Sequence, residues 1–405
     1  VPVRNPTMPR VAWCALFILG ACAQISASPS GKPPILAVNA TSHYDAGFQI
    51  GTAMKDMIVE RFAQDHNFQT RLLPFAASEQ GAPVVEGFLS RAKASFPQYV
   101  EELQGTADGA GLSFESVFVM NLREEINALL DKPFKEPLSC SDYSVLMLDS
   151  SPPVALVSHN EDGSDISNNH TYMLEVVIGQ GHTFTAYSYA GEIPSGAFGW
   201  NTFGVGFTLN YLQAPTLLGG IGRNFISRWL LDASSLEEAV GRASSYQPQA
   251  TGHNFQIFSI GTSSSPPAIV NIELAPTGAH VMPLRSNATL FHANCYMFLN
   301  PTPRGAVPSY TGEQPWKCID NEIDSVGRMA RASELPVPHD VAGVVAVLGD
   351  TENKDYPIYA EPGVPNADGR ATLNSVVIDL VQGTASVLYG NPKLLQVYHK
   401  FDIGK

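Results

Sequence analysis

Ser139-Cys140, within the run Leu138-Ser-Cys-Ser-Asp-Tyr-Ser-Val-Leu-Met147, is the point in the chain where residue types and spacing best suit covalent chemistry. A small residue precedes the cysteine. A serine, an acid and an apolar, strand-like run follow it. The Cys140 thiol could attack the Ser139 carbonyl, form a thioester and lose it to water. The chain would then be cut before Cys140, which would carry a free α-amine. A thiol and an amine on one residue make a nucleophile with its own proton acceptor. The plain alternative is a buried, inert cysteine, the common fate of an isolated thiol.

Other polar groups could serve such a nucleophile. In His159-Asn-Glu-Asp162-Gly, Asp162 could orient the new amine or take its proton, although Asn, Asp and Gly also suit an ordinary turn. Asn254, in Thr251-Gly-His-Asn254, could aim an uncharged donor at an oxyanion. It could equally cap a strand entry. Asn210 closes a Gly-punctuated strand that could line a cleft or form a hairpin. His292 and Asn294, in Phe291-His-Ala-Asn294, read as cleft-wall or structural residues. The papain-type pattern around a cysteine is missing at Cys140. Arg328 could hold a carboxylate, with Arg331 as the alternative arginine on the same helix.

Elements must hold these groups. Ile50, Met54, Ile58 and Phe62 recur at helical spacing. Further helices are expected over 99–107 and from 113 toward 126, so residues 46–139 read as mostly helical. From Cys140 the pattern changes to short strands over 144–148, 154–158, 173–178, 183–189 and 204–209. Helices follow over 224–233 and after Ser235, where Ser235-Leu-Glu-Glu238 has capping-box spacing. Strands at 255–260, 268–273 and 280–282 precede helices at 319–332 and 341–348. Strands at 375–380 and 385–388 close the chain. This order is α+β rather than a regular βαβ alternation. Two packed antiparallel sheets covered by helices would accommodate it.

The 405 residues are 44% hydrophobic and 15% charged, a balance suited to a globular core. A net charge of −14 without a Lys/Arg run argues against nucleic acid and anionic membranes as partners. No zinc-type or phosphate-loop motif occurs, so neither a metal nor a bound cofactor is expected. Residues 8–23 read as a signal peptide and 24–45 as a flexible leader, which implies a secreted or lumenal protein. Leu19-Gly-Ala-Cys22 leaves lipid attachment at Cys22 as the alternative. No stable membrane span is expected. Asn39, Asn169 and Asn287 head glycosylation sequons. Beyond the signal, three cysteines remain; the odd count suggests a free Cys140 and a Cys295–Cys318 bridge.

An ordered set of short motifs carries a resemblance. It comprises Glu101-Glu-Leu-x-Gly105, Asn121-Leu-Arg-x-Glu125, Cys140-Ser-Asp, Asn160-x-Asp162 and Gly199-x-Asn201-x-x-Gly204. Gly222-Arg223, Ser235-Leu-Glu-Glu-Ala239, His292-x-Asn294, Ser325-x-x-Arg328 and Tyr389-Gly-x-Pro392 complete it. Across about residues 46–395 the chain resembles the acyl-coenzyme A:6-aminopenicillanic-acid acyltransferase family of N-terminal-nucleophile hydrolases. The resemblance implies a four-layer αββα sandwich cut into chains 46–139 and 140–405 that stay associated. It implies Cys140 as nucleophile, Asp162 as an aid to cleavage, Asn254 as oxyanion donor and Arg328 as site arginine. Asn210, His292 and Asn294 are then substrate-binding candidates. The implied substrate is a small acyl amide or acyl thioester. A lipid amide or ester hydrolase, ceramidase-like or phospholipase-like, and a non-enzymatic secreted protein of the same fold are the alternatives. Glu161 departs from the family pattern, which often has an aromatic there, and Ser139 stands where glycine is usual.

Overall fold

Alternating apolar residues put two sheets back to back. A computed structural model describes residues 23–26, 32–130, 139–179, 182–194, 196–214, 218–245, 249–300, 323–367 and 369–404. The expected signal segment up to Cys22, and Cys318, lie outside the described residues. Helices α1 (His43–Ala53), α2 (Lys55–Gln64), α3 (Leu73–Ala76), α4 (Gly81–Ser95), α5 (Pro97–Ala110), α6 (Phe114–Met120) and α7 (Arg123–Leu129) precede Cys140. Two short strands, β1 (Gln24–Ser26) and β2 (Ile35–Ala40), come before them. Then follow β3 (Cys140–Met147), β4 (Val154–Gly163), β5 (Thr171–Ile178), β6 (His182–Tyr189), β7 (Phe198–Asn201) and β8 (Val205–Leu212). Helices α8 (Arg223–Leu230) and α9 (Leu236–Ser245) lead to β9 (Gly252–Ser259), β10 (Ala268–Ala275), β11 (Gly278–Pro283) and β12 (Ala288–His292). The chain ends with α10 (Ile323–Glu334), α11 (Val341–Leu348), β13 (Ala371–Asp379), β14 (Thr384–Leu388) and β15 (Val397–Asp402).

The strands form a nine-stranded sheet, ordered β1-β2-β5-β6-β7-β8-β9-β10-β11, and a six-stranded sheet, ordered β12-β3-β4-β13-β14-β15. Pairing is antiparallel except for β2 beside β5, where Ile35–Ala40 run parallel to Met173–Ile178. Three apolar clusters fix the layering. One packs α1–α9 on the nine-stranded sheet through residues such as Ile58, Leu103, Phe207 and Ile257. A second lies between the sheets, with Val157, Phe198, Phe258 and Ile378. A third packs α10 and α11 on the six-stranded sheet through Met329, Val345, Val145 and Leu156. The order is helices, sheet, sheet, helices, the expected αββα sandwich. Each fully buried large apolar side chain contributes about 1.5–3 kcal/mol to holding these layers.

Local choices explain the element ends. Ser42, Ser113 and Asp340 cap α1, α6 and α11 by accepting from backbone N–H groups one turn on. Ser235 accepts from the Glu238 N–H at 3.1 Å, while the Glu238 carboxylate reaches Ser234 rather than Ser235. The single helix expected from 113 toward 126 is broken at Asn121. Its amide bonds the Val117 and Gly191 carbonyls and the Ile193 N–H, tying the helix end to the turn after β6. The stretch read as leader contains β2, whose apolar Leu36 and Val38 are buried on one face. Against α5, α1 packs so closely that a Cβ on Gly47 would stand 1.8 Å from the Glu102 carbonyl oxygen, so only glycine fits there.

Candidate active site

The pleat of β3 and β4 builds the site. Cys140 pairs with Glu161 and Asp142 with His159 across the two strands. Even-numbered β3 residues and odd-numbered β4 residues point between the sheets, as Leu146 and Val157 show. The space between the sheets is apolar near Leu146. It becomes polar toward Cys140, where β8 and β9 contribute Asn210, Asn254 and Gln256. The run His159 to Gly163, read as strand end and turn, lies wholly within β4 and is buried, so these polar groups are bonded to protein partners.

Cys140 is a free, buried thiol. Its Sγ donates to Glu161 Oε2 at 3.3 Å. Burial, reinforced by the Glu161 charge, pushes the thiol up to about 12, against the pull of His159. His159 Nδ1 lies 2.7 Å from Asp142 Oδ1, and Nε2 lies 2.8 Å from Glu161 Oε2. Burial alone would disfavour the charged ring. The Asp142 charge and the hydrogen bonds to Asp142, Cys140 and Glu161 outweigh it and carry His159 well above its ordinary value. Both ring nitrogens then donate. The Tyr189 hydroxyl donates to Glu161 Oε1. Sequence reasoning missed Asp142, His159 and Glu161 as a unit. The available signal was polar residues at i, i+2 on two neighbouring strands.

A second set of groups grips the Cys140 backbone. Its N–H donates to Asn294 Oδ1 at 2.7 Å, and its carbonyl accepts from Arg328 Nη1. Arg328 also reaches Ser141 Oγ at 3.0 Å, Asn294 Oδ1 at 2.8 Å and Asp324 Oδ2 at 2.7 Å. Ser139 Oγ donates to the same Asp324 oxygen at 2.8 Å. Burial would raise Asp324, but the Arg328 guanidinium brings its carboxyl below the usual range. Of the two candidate arginines, Arg328 is the one that meets Cys140. Arg331 pairs with Asp350 at 2.9 Å.

The remaining expected residues are placed differently. Asp162 is one step from Glu161 and so falls on the opposite face of β4. There it accepts from Arg370 and, at 2.6 Å, from Thr372 Oγ1. Burial raises its pKa against the pull of Arg370 and Arg328. Asn254 commits its Nδ2 to Asn271 Oδ1 at 2.7 Å and to the Ile272 carbonyl at 3.0 Å. The amide that touches Cys140 is instead Asn294. Asn210 Nδ2 donates to Asp142 Oδ2 at 2.9 Å and stands 3.3 Å from His292 Nδ1. His292 pairs with Glu273 at 3.0 Å in the buried network behind β3. None of Asn210, His292 and Asn294, the expected substrate-binding residues, is among those that line the cavity. Cys295 is buried and disulfide-bonded; Cys318, its expected partner, lies outside the described residues. Asn39, Asn169 and Asn287 are exposed.

A small cavity opens onto Cys140, Glu161 and Asp162. Its far wall holds Arg61, Arg123 and Arg223 among Glu124, Glu125 and Glu192. Arg61 pairs with Glu192 at 2.5 Å and Arg223 with Glu124 at 2.8 Å. Burial lifts Glu124 to about 7 in spite of Arg223. Among the described residues, Cys140, His159 and Glu161 are the group whose donor atoms lie close enough to share a metal ion, within 4.8 Å of one another. Among the same residues no helix is long and apolar enough to cross a membrane.

Comparison with known proteins gives the chain its family. The profile of the acyl-coenzyme A:6-aminopenicillanic acid acyl-transferase family matches residues 150–394, a span that begins just after β3. The β-alanyl-dopamine/carcinine hydrolase of Drosophila melanogaster is 32% identical over 386 residues, 89% of this chain and 93% of that protein. Among solved structures, a mutant of the conjugated bile acid hydrolase from Clostridium perfringens overlaps at a TM-score of 0.37 and 13% identity, covering 65% of this chain and 92% of that one. Penicillin V acylase from Agrobacterium tumefaciens overlaps at 0.34 and 12%, covering 62% and 82%. These structural overlaps are loose, and the family match carries the assignment. Family and layered fold together define an amidohydrolase or acyltransferase of the N-terminal-nucleophile type. The chain belongs to the acyl-coenzyme A:6-aminopenicillanic acid acyl-transferase family.

Proposed function

We propose that the chain is a self-processing cysteine amidohydrolase acting on small amides whose acyl part carries an ammonium group. One observation carries the reading. Cys140 heads a strand at the cavity, with its nitrogen on Asn294, its carbonyl on Arg328 and its sulfur toward Glu161. In maturation, Sγ attacks the Ser139 carbonyl carbon, the acyl group moves from nitrogen to sulfur, and water releases it. The freed amine stays on Asn294 Oδ1, so its lone pair can face the thiol. In turnover the amine takes the thiol proton and the thiolate adds to the substrate carbonyl. The amine then passes a proton to the leaving nitrogen, and water clears the acyl-enzyme. We assign the oxyanion donor to Asn294 Nδ2, which gives one hydrogen to the Tyr211 carbonyl at 2.9 Å and has its second to offer, together with a backbone N–H. Arg328 holds the Cys140 carbonyl and braces Asn294 and Asp324.

The acyl preference rests on the β-alanyl group in the Drosophila relative's name. The cavity wall offers carboxylates that could meet an ammonium: Glu124, Glu125, Glu161 and Glu192 line it beside Arg61, Arg123 and Arg223, while Asp162 is taken up by Arg370. Terminal sequencing of purified protein tests the self-processing: the expected new N-terminus is Cys140, and an active protein with Ser139–Cys140 intact overturns it. A panel of β-alanyl amides and their propionyl counterparts tests the substrate class. A kcat/KM preference of about tenfold or more for the charged acyl group is expected. Equal rates would remove the ammonium from the proposal. Passage through the secretory pathway is part of the same reading, supported by exposure of all three sequons.

A further inference from the structure

We propose that Glu161, held by His159 and Asp142, is the base that takes the Cys140 thiol proton during self-cleavage. The inference rests on the self-processing reading above and adds a catalytic residue to it. Before the cut, the nitrogen of Cys140 belongs to a peptide bond. It donates to Asn294 at 2.7 Å and has no basic lone pair to offer. The amine that serves turnover therefore cannot serve the reaction that creates it. Another acceptor must stand at the sulfur, and the group that accepts from Sγ in the structure is Glu161 Oε2, at 3.3 Å.

The surroundings of Glu161 fit that task. All three of its side-chain partners are ionisable: Cys140, His159 and Tyr189. His159 is fixed from behind by Asp142, and Asp142 by Asn210, so the carboxylate is held in place. Charge balance favours the transfer. A thiolate formed beside an ionised Glu161 would put two buried anions in contact, which is part of why the thiol stands at about 12. Passing the proton to Glu161 leaves the pair with the same single negative charge it had before. A His159 ring nitrogen lies within 4.8 Å of the sulfur to steady the thiolate. The titratable and charged groups that act on Glu161 are Cys140 from β3, His159 from β4, Tyr187 and Tyr189 from β6, Arg223 from α8 and, from the opposite face of β4, Asp162.

The step balances. The S–H bond breaks and an O–H bond forms on Glu161. The sulfur adds to the Ser139 carbonyl carbon. As the C–N bond breaks, Glu161 returns the proton to the Cys140 nitrogen, which becomes an amine. Water then hydrolyses the thioester, giving the Ser139 carboxyl group and restoring the thiol.

The test follows cleavage of the full chain by pulse-chase after cell-free synthesis. Glu161→Gln is expected to lengthen the half-life of the precursor by about 100-fold or more. Glu161→Ala is expected to be slow as well, and added formate is expected to recover part of its rate, which a purely structural role would not allow. A folded Glu161→Gln protein, judged by its thermal midpoint, that cleaves within about threefold of the parent overturns the proposal. If both variants fail to fold, the parent decides. Its cleavage rate is expected to level off near neutral pH, whereas a rate rising about tenfold per pH unit through the alkaline range means hydroxide is the base. An uncut but active parent would instead defeat the self-processing reading, so the two failures are distinguishable.

Discussion

Two buried histidines sit on the strands that flank β3, and each is paired with carboxylate. His292 on β12 meets Glu273, and His159 on β4 meets Asp142 and Glu161. Asn210 touches both networks, through Asp142 and through His292. Their carboxylates differ in what else they hold. Glu273 accepts from the backbone N–H groups of Met297, Phe298 and Leu299, at 2.7, 2.9 and 2.7 Å. Its capacity is spent on fixing the chain after β12. Glu161 accepts from no backbone group among its described bonds; it meets a thiol, an imidazole and a phenol. Burial and a histidine are common to both, so neither marks a reactive site. What separates them is whether the carboxylate's remaining lone pairs face amides, which never titrate, or groups that exchange protons.

Substitutions can break this comparison. Cys140→Ala is expected to abolish both chain cleavage and amide turnover, read by denaturing electrophoresis and by product release. Asn294→Ala is expected to lower kcat by about 100- to 1000-fold. Asn254→Ala, whose amide is bound to Asn271, should lower it far less, and the reverse order would return the oxyanion to Asn254. Glu273→Gln tests the structural histidine. It weakens three charge-assisted bonds and should cost about 3 kcal/mol in denaturant unfolding, without slowing cleavage in the folded fraction. Glu124 offers a smaller effect with a defined sign. Burial first, and then neighbouring carboxylates, lift its folded-state pKa from 4.5 to about 7 against Arg223. The unfolded chain therefore loses this proton first, and the contribution of Glu124 to stability falls as pH rises through that window. Thermal midpoints of the parent should drop across it, and those of Glu124→Gln should drop less. Removal of N-linked glycans from protein secreted by eukaryotic cells should shift its mobility on gels, with Asn39, Asn169 and Asn287 as the positions to substitute.

The layering of the fold was legible in the sequence because it follows from period. Ile50, Met54, Ile58 and Phe62 share a helical stripe and all lie in the core against the nine-stranded sheet. The run from Ser144 alternates so that Val145 meets the α10–α11 layer and Leu146 meets the other sheet. Short edge strands such as β12 and β15 were not read, because five or six residues leave little periodic signal. The site was legible only in part. Cys140 and Arg328 stand out by type and by neighbouring residues. Asp142 and His159, separated by 17 positions, meet only through strand register, which one residue of slip would undo. The amide that meets Cys140 was not legible for a related reason. Asn254 and Asn294 are similar as sequence, and only the three-dimensional path of β12 brings the second against Cys140.

The parallel pairing of β2 with β5 bears on what the proposed cut would leave behind. Strands β1 and β2 both belong to the segment before Cys140 and form one end of the nine-stranded sheet, where β2 is hydrogen-bonded to β5. A nick at residue 139 would leave the upstream polypeptide as the outer strands of the downstream sheet. Dissociation would require opening the β2–β5 seam and stripping away the helices that the upstream strands carry. The pair should therefore migrate as one particle in native gels and part only in denaturant, and subunits expressed separately should fail to reconstitute without joint refolding.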